Sequence, residues 1–333
     1  MGVAMSKDGV GWLLENAGSV ICYRTATELL KGSNRREVER LREALFSDGL
    51  VQFWLGNLRP DFSRNVMHSG KSEGYENVMG KLYEFGLRKG MRVLDERTAP
   101  FRRWLDEQIR LPNEGYFPVL YRTIVAAFLC MTGYADEPAV NEWVLKRLET
   151  VYLFAEQGKL KDAYVSRDSF RGFPKAYRAY PLINPELYPN DEFKLPWVHD
   201  VNAFLHSPML MEDAQLRGKV EAVVDLVLRP EYQRLHVGYG VMRHSSGRYY
   251  VMGWGVHLPG YFGSEVEAED SGRLLLLLSV LSRSQVARKH PWFKKSVALL
   301  NRYKTGEGLV CFPREFLPEK RFGYWVGGAR MGL

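Results

Sequence analysis

The triplet Tyr23-Arg24-Thr25 returns at Tyr121-Arg122-Thr123, and Tyr75-Glu76-Asn77 stands between the two, each opening an apolar run. The spacing is about fifty residues, which accommodates two helices and their connections. A chain with this period folds as consecutive helical hairpins, because one hairpin cannot bury its apolar face alone and must stack on the next.

Residues 75–108 spell out one such unit. Tyr75, Val78, Met79, Leu82 and Phe85 recur at helical spacing, and Gly86 stands where a helix ends on a glycine. Leu94, Phe101, Trp104 and Leu105 then mark one face of a second helix. The same scheme fits residues 121–152, with Ile124, Val125, Phe128 and Leu129 before Gly133, and Val140, Trp143, Val144, Leu148 and Val151 after Pro138. Proline is tolerated in a first helical turn, so Pro138 marks a start rather than a break. Residues 19–45 repeat the plan, with Leu29 and Leu30 before Gly32 and Val38, Leu41 and Leu45 after it. A further hairpin is expected around Leu274 and Pro291, and a less complete unit around Val220, Val223, Val224 and Val227.

Two regions leave this pattern. Residues 163–208 form a long Pro- and Tyr-rich excursion with few helical periods, too aromatic for a disordered segment. Residues 239–263 place the turn "HSSGR" between aromatic flanks, which predicts a β-hairpin or an aromatic loop. The fold expected is therefore all-α, one domain over residues 1–333, with small β-hairpin and loop insertions.

Composition narrows the class. The 333 residues are 46% hydrophobic and 26% charged, the balance of a globular protein, and 13% are aromatic. The net charge of +7 favours anionic partners mildly, but Lys and Arg are spread without a stripe, so no nucleic-acid partner is expected. Cys22, Cys130 and Cys311 are far apart, which predicts buried free thiols in a reducing compartment. No leader is evident and the run at 274–281 is too short for a membrane span, so a cytoplasmic location is expected.

Hairpins of this length, closed by glycines, resemble the α/α toroid of the squalene cyclase and prenyltransferase superfamily. The stretch "EAEDSGRLLLLLSVL" at 267–281 is similar to the D-x-D-D-[ST]-A helix opening of class II terpene cyclases, with Glu267, Glu269 and Asp270 on the acidic positions. Both key aspartates are glutamates here, Arg273 follows, and the Q-x-x-x-G-x-W repeats of that family are absent. The resemblance implies a central aromatic cavity, a hydrophobic or isoprenoid substrate and Glu269 as the acid that starts a carbocation. The alternative reading of "EAED" is a helix N-terminus favoured by the dipole.

Tyr239, Trp254, Tyr261 and Phe262 are candidates for an aromatic wall that stabilises a developing cation. Arg243 and His257 complete the densest polar and aromatic cluster, and His68, in a polar loop before the second hairpin, is placed to meet an anionic group. No spacing of Cys and His suggests a metal site, and neither a dinucleotide loop nor a Ser nucleophile elbow occurs, so no cofactor is expected. Two other functions suit the same scaffold. Helical toroids host carbohydrate-active hydrolases and lyases that use Tyr, His and Arg, and a helical repeat can also bind a protein on its concave face without catalysis.

Overall fold

The computed structural model describes residues 7–30, 34–68, 71–112, 115–170, 172–244, 246–263, 271–306 and 308–311. The chain divides into two compact units. One comprises Met1–Ala99, Glu265–Leu276 and Trp292–Leu333, and the other Pro100–Ser264 and Leu277–Pro291. The protein is mostly helical, with a small four-stranded sheet.

The first unit opens with helices α1 (Lys7–Asn16), α2 (Ser19–Arg24), α3 (Arg35–Ser47), α4 (Gly49–Asn57), α5 (Arg64–Met67) and α6 (Tyr75–Glu84). Neighbours in sequence are neighbours in space, α2 on α3 and α3 on α4, and α4 then packs on α6. Local chemistry sets the helix starts. The Asn34 side chain accepts from the Arg36 N–H at the head of α3, and Asp48 accepts from the Leu50 N–H at the head of α4. Ser19 donates to the other Asp48 oxygen at 2.5 Å, tying the starts of α2 and α4 together and holding the Asp48 carboxyl below its usual range.

One expectation fails in this unit. Leu29 and Leu30 are 50% and 38% exposed rather than facing the core. Residues Thr25–Leu29 form a π-helical turn, closed by the Leu30 N–H on the Thr25 carbonyl. The wider turn rotates the following side chains off the buried face that a 3.6-residue period assigns them.

The chain continues through α7 (Arg92–Ile109), α8 (Tyr116–Met131), α9 (Pro138–Gln157), α10 (Val198–His206), α11 (Pro208–Glu212), α12 (Ala214–Leu228), α13 (Pro230–Gln233), α14 (Ser271–Leu281), α15 (Gln285–Lys289) and α16 (Pro291–Asn301). Within the second unit α8 and α9 form a hairpin, α8 also packs on α10, α9 packs on α12 and α12 on α15. Helices thus pack on neighbours two and three places along the chain as well as on the next in sequence, and α10 also packs on α9 and α12.

Two of the three expected glycine stops, Gly86 and Gly133, are present, and Gly32 lies outside the described residues. Gly86 has φ +85° and Gly133 φ +97°, and in each case the following N–H reaches five residues back, Leu87 to Leu82 and Tyr134 to Leu129. That is the Schellman closure, which a side chain at the left-handed position would strain.

The 163–208 excursion carries β1 (Tyr164–Val165) and β2 (Leu182–Ile183), and the 239–263 region folds as the antiparallel hairpin β3 (Gly240–Arg243) and β4 (Tyr249–Met252). The sheet order is β1-β2-β3-β4, with β2 and β3 parallel through Leu182 and Val241. The excursion ends in α10, a helix its composition does not announce. Residues 198–205 are all buried, so the segment has no polar face to produce an amphipathic period.

The cysteines divide. Cys22 and Cys130 are buried and Cys311 is exposed, which corrects the expectation of three buried thiols. The Cys22 thiol donates to the Ala17 carbonyl at 3.1 Å, and burial pushes the Cys130 thiol far above the ordinary range. Thiolate is the reactive form. Native protein treated with iodoacetamide is therefore expected to be alkylated rapidly at Cys311 alone, with Cys22 and Cys130 reacting only on unfolding. Peptide mass mapping before and after urea reads this directly.

Candidate functional site

Two polar clusters stand inside the units, one in each. In the first unit the short helix α5 delivers His68 to the head of α6, where its Nδ1 lies 2.9 Å from Glu76 Oε2. The Glu76 side chain is fully buried and that of His68 is 26% exposed. Every residue from Tyr75 to Leu82 is buried, including Glu76, Asn77 and Lys81. Charged side chains reach such positions only when paired, and each of these is held. Asn77 donates to the Lys71 carbonyl at 2.6 Å, and the Lys81 ammonium meets Glu84 at 2.6 Å. Desolvation nevertheless raises the Glu84 carboxyl above its usual range, against the pull of Lys81.

The His68–Glu76 geometry has a chemical consequence. Glu76 sits in the first turn of α6, where the helix dipole favours a carboxylate. With Glu76 as a carboxylate, which accepts only, Nδ1 of His68 carries the hydrogen and leaves Nε2 as the acceptor of the neutral ring. A buried carboxylate that fixes the tautomer and stabilises the imidazolium is the support a histidine general acid or base needs.

In the second unit the centre is a buried ion pair. Arg147 on α9 grips Asp200 on α10 with two bonds, Nε to Oδ1 at 2.9 Å and Nη2 to Oδ2 at 2.8 Å. Its third arm donates to the Phe193 carbonyl at 2.8 Å, and its guanidinium lies 4.7 Å from the Trp197 ring centre. Asp200 also accepts from the Trp197 N–H at 3.0 Å, so the same carboxylate caps α10. On the same helix His199 is wholly buried and Asn202 is 1% exposed. Neither amide atom of Asn202 has a hydrogen-bond partner among the described residues.

The predicted aromatic wall is distributed around this core. The Tyr239 hydroxyl bonds to that of Tyr232 and donates to the Pro196 carbonyl at 2.5 Å, and burial drives its ionisation well above the ordinary range. His257 stacks on Tyr232 and its Nε2 meets the Leu235 carbonyl at 2.9 Å. Trp254 approaches His199, ring centres 5.7 Å apart, and its carbonyl accepts from the Val198 N–H at the start of α10. Tyr239 and Trp254 both have positive φ, +64° and +73°, a conformation that costs bulky residues energy and is held by the surrounding bonds.

The other candidates lie apart from that cluster. Arg243 stands over Phe170 at 5.2 Å, and its N–H donates to the Tyr188 hydroxyl. Tyr261 stacks on His290 and donates to the Leu228 carbonyl at 2.6 Å, while Phe262 is 60% exposed beneath the Arg234 guanidinium. Glu267, Glu269 and Asp270 lie outside the described residues.

The structure brings forward residues that sequence reading did not select. Glu76 entered only as part of a repeated triplet, and Arg147, His199, Asp200 and Asn202 not at all. The available signal was polar residues inside apolar helical runs, "YENVMGK" and "VHDVNAFL". Among the described residues no group of three or more His, Cys, Asp or Glu side chains is arranged to hold a metal ion, and no helix is long and apolar enough to cross a membrane.

No family model, curated protein or solved structure matches this chain.

Proposed function

We propose that the protein is an enzyme of the α/α toroid kind, akin to the squalene cyclases and prenyltransferases, which moves a proton on a hydrophobic, isoprenoid or partly anionic small molecule. The observation that carries the reading is the His68–Glu76 pair at the head of a helix buried through Tyr75–Leu82. A buried carboxylate costs several kcal/mol in desolvation unless it is paired, and the partner of Glu76 is a histidine that is itself 26% exposed, so the pair stays within reach of a ligand. Two further features support the architecture. Gly86 and Gly133 end their helices in the same way, and in the second unit α8 and α9 pack as a hairpin with α10 on both of them.

In this reading His68 exchanges the proton and Glu76 positions it. The acidic stretch of Glu267, Glu269 and Asp270 keeps the role its resemblance implies, with Glu269 as the donor that starts a carbocation.

The test is a ligand and product screen on the purified protein. Squalene, geranylgeranyl diphosphate and an oligogalacturonate are each incubated with wild type, His68→Gln and Glu269→Gln, and products are followed by mass spectrometry. An isomerised or cyclised isoprenoid formed by wild type and lost in His68→Gln is the expected result. Turnover of the uronate alone would replace this reading with the carbohydrate-active one. Turnover of an isoprenoid that survives both substitutions would remove His68 and Glu269 from the mechanism.

A further inference from the structure

The second unit carries a groove of about 510 Å³ between the last turns of α9 and the segment that precedes α10. This size is within the range of small-ligand sites. Its apolar lining is Leu153, Phe154 and Leu187, and Leu153 is 54% exposed. The chain is shaped to make that floor. A Cβ at Gly158 would lie 2.3 Å from the Phe154 ring, so only glycine lets the ring lie flat on the backbone there.

Four charged side chains line the same groove, Lys159, Lys194, Asp162 and Glu186. None of the four is ion-paired with a described residue. The contrast is Glu192, also in the lining, which Lys146 neutralises at 2.8 Å. Two cations and two anions thus line one apolar floor, so a ligand that carries both signs beside an apolar group can pair with more of the lining than a simple anion, cation or apolar molecule.

We propose that this groove binds a short zwitterionic peptide, roughly three residues long, with an apolar side chain on the Phe154–Leu187 floor and an acidic and a basic side chain on either flank. Gln157, an exposed residue of the same lining, offers an amide to the peptide backbone. The site is independent of the His68–Glu76 pair, and its failure would leave the enzymatic reading untouched.

The experiment is calorimetric titration of the whole protein with acetylated, amidated Lys-Leu-Glu and Glu-Leu-Lys, and with Ser-Leu-Ser as the uncharged control. One charged peptide is expected to bind about tenfold more tightly than the control, within the ceiling that two exposed ion pairs set. That preference should shrink as salt is raised. The double variant Lys159→Glu, Lys194→Glu should lose it, and Gly158→Ala should weaken all binding by displacing the Phe154 ring, with folding checked by circular dichroism. No saturable heat at millimolar peptide would overturn the proposal. So would equal binding of charged and uncharged peptides, or binding that both variants leave unchanged.

Discussion

Replacing Asp200 with alanine is expected to destabilise the protein by about 3–5 kcal/mol, the cost of leaving one partner of a buried ion pair without the other. Arg147 is 3% exposed, and two of its three hydrogen-bonding arms end on this carboxylate. Alanine also removes the acceptor for the Trp197 N–H, a cap whose loss typically costs about 1 kcal/mol by itself. Asp200→Asn separates the two effects, since an amide oxygen still accepts from Trp197 but carries no charge for Arg147. The double variant Arg147→Met, Asp200→Leu should recover much of the loss, because desolvating a paired charge offsets most of what the pair contributes. Urea unfolding followed by far-UV circular dichroism reads all four proteins. An Asp200→Ala loss below about 1 kcal/mol would mean that water reaches the Arg147 guanidinium once the carboxylate is gone.

How much of this was legible beforehand depends on the range of the interactions involved. The stops at Gly86 and Gly133 could be read because a left-handed residue closing a helix is a local requirement, and the start of α9 could be read from Pro138 for the same reason. The β3–β4 hairpin was one of the two readings, hairpin or aromatic loop, that a turn between aromatic flanks allowed. Helix α10 could not, since burial through Val198–Leu205 erases the polar face on which a period depends. Nor could the Arg147–Asp200 pair, whose members are 53 residues apart and meet only after α9 and α10 have packed. Leu29 and Leu30 were misplaced by a single π-helical turn, which no apolar period reveals. His68 was visible as a polar loop residue. Its partner was harder to find because Glu76 occupies a position that the repeat pattern assigns to the helix entry, and a polar residue in the apolar run "YENVMGK" does not by itself say that the helix is buried on its polar side as well.

Substituting Glu76 by glutamine is expected to lower turnover by about two to four orders of magnitude, the range that general acid–base catalysis contributes, while KM changes little. The side chain is isosteric, and its amide oxygen can still accept from Nδ1 of His68, so the ring keeps its place 2.9 Å away. What disappears is the charge that stabilises the imidazolium. In the proposed reaction His68 carries the proton, and without the Glu76 charge the protonated ring loses its buried counter-ion. His68→Gln, which removes the ring itself, should lower turnover at least as far. A purely structural pair would behave differently. Its loss would lower the melting temperature and leave the kcat of the remaining folded protein where it was. Measuring kcat, KM and the melting temperature on the same preparations separates the two cases. An unchanged kcat in both variants would assign His68 and Glu76 to the framework of α6 rather than to proton transfer.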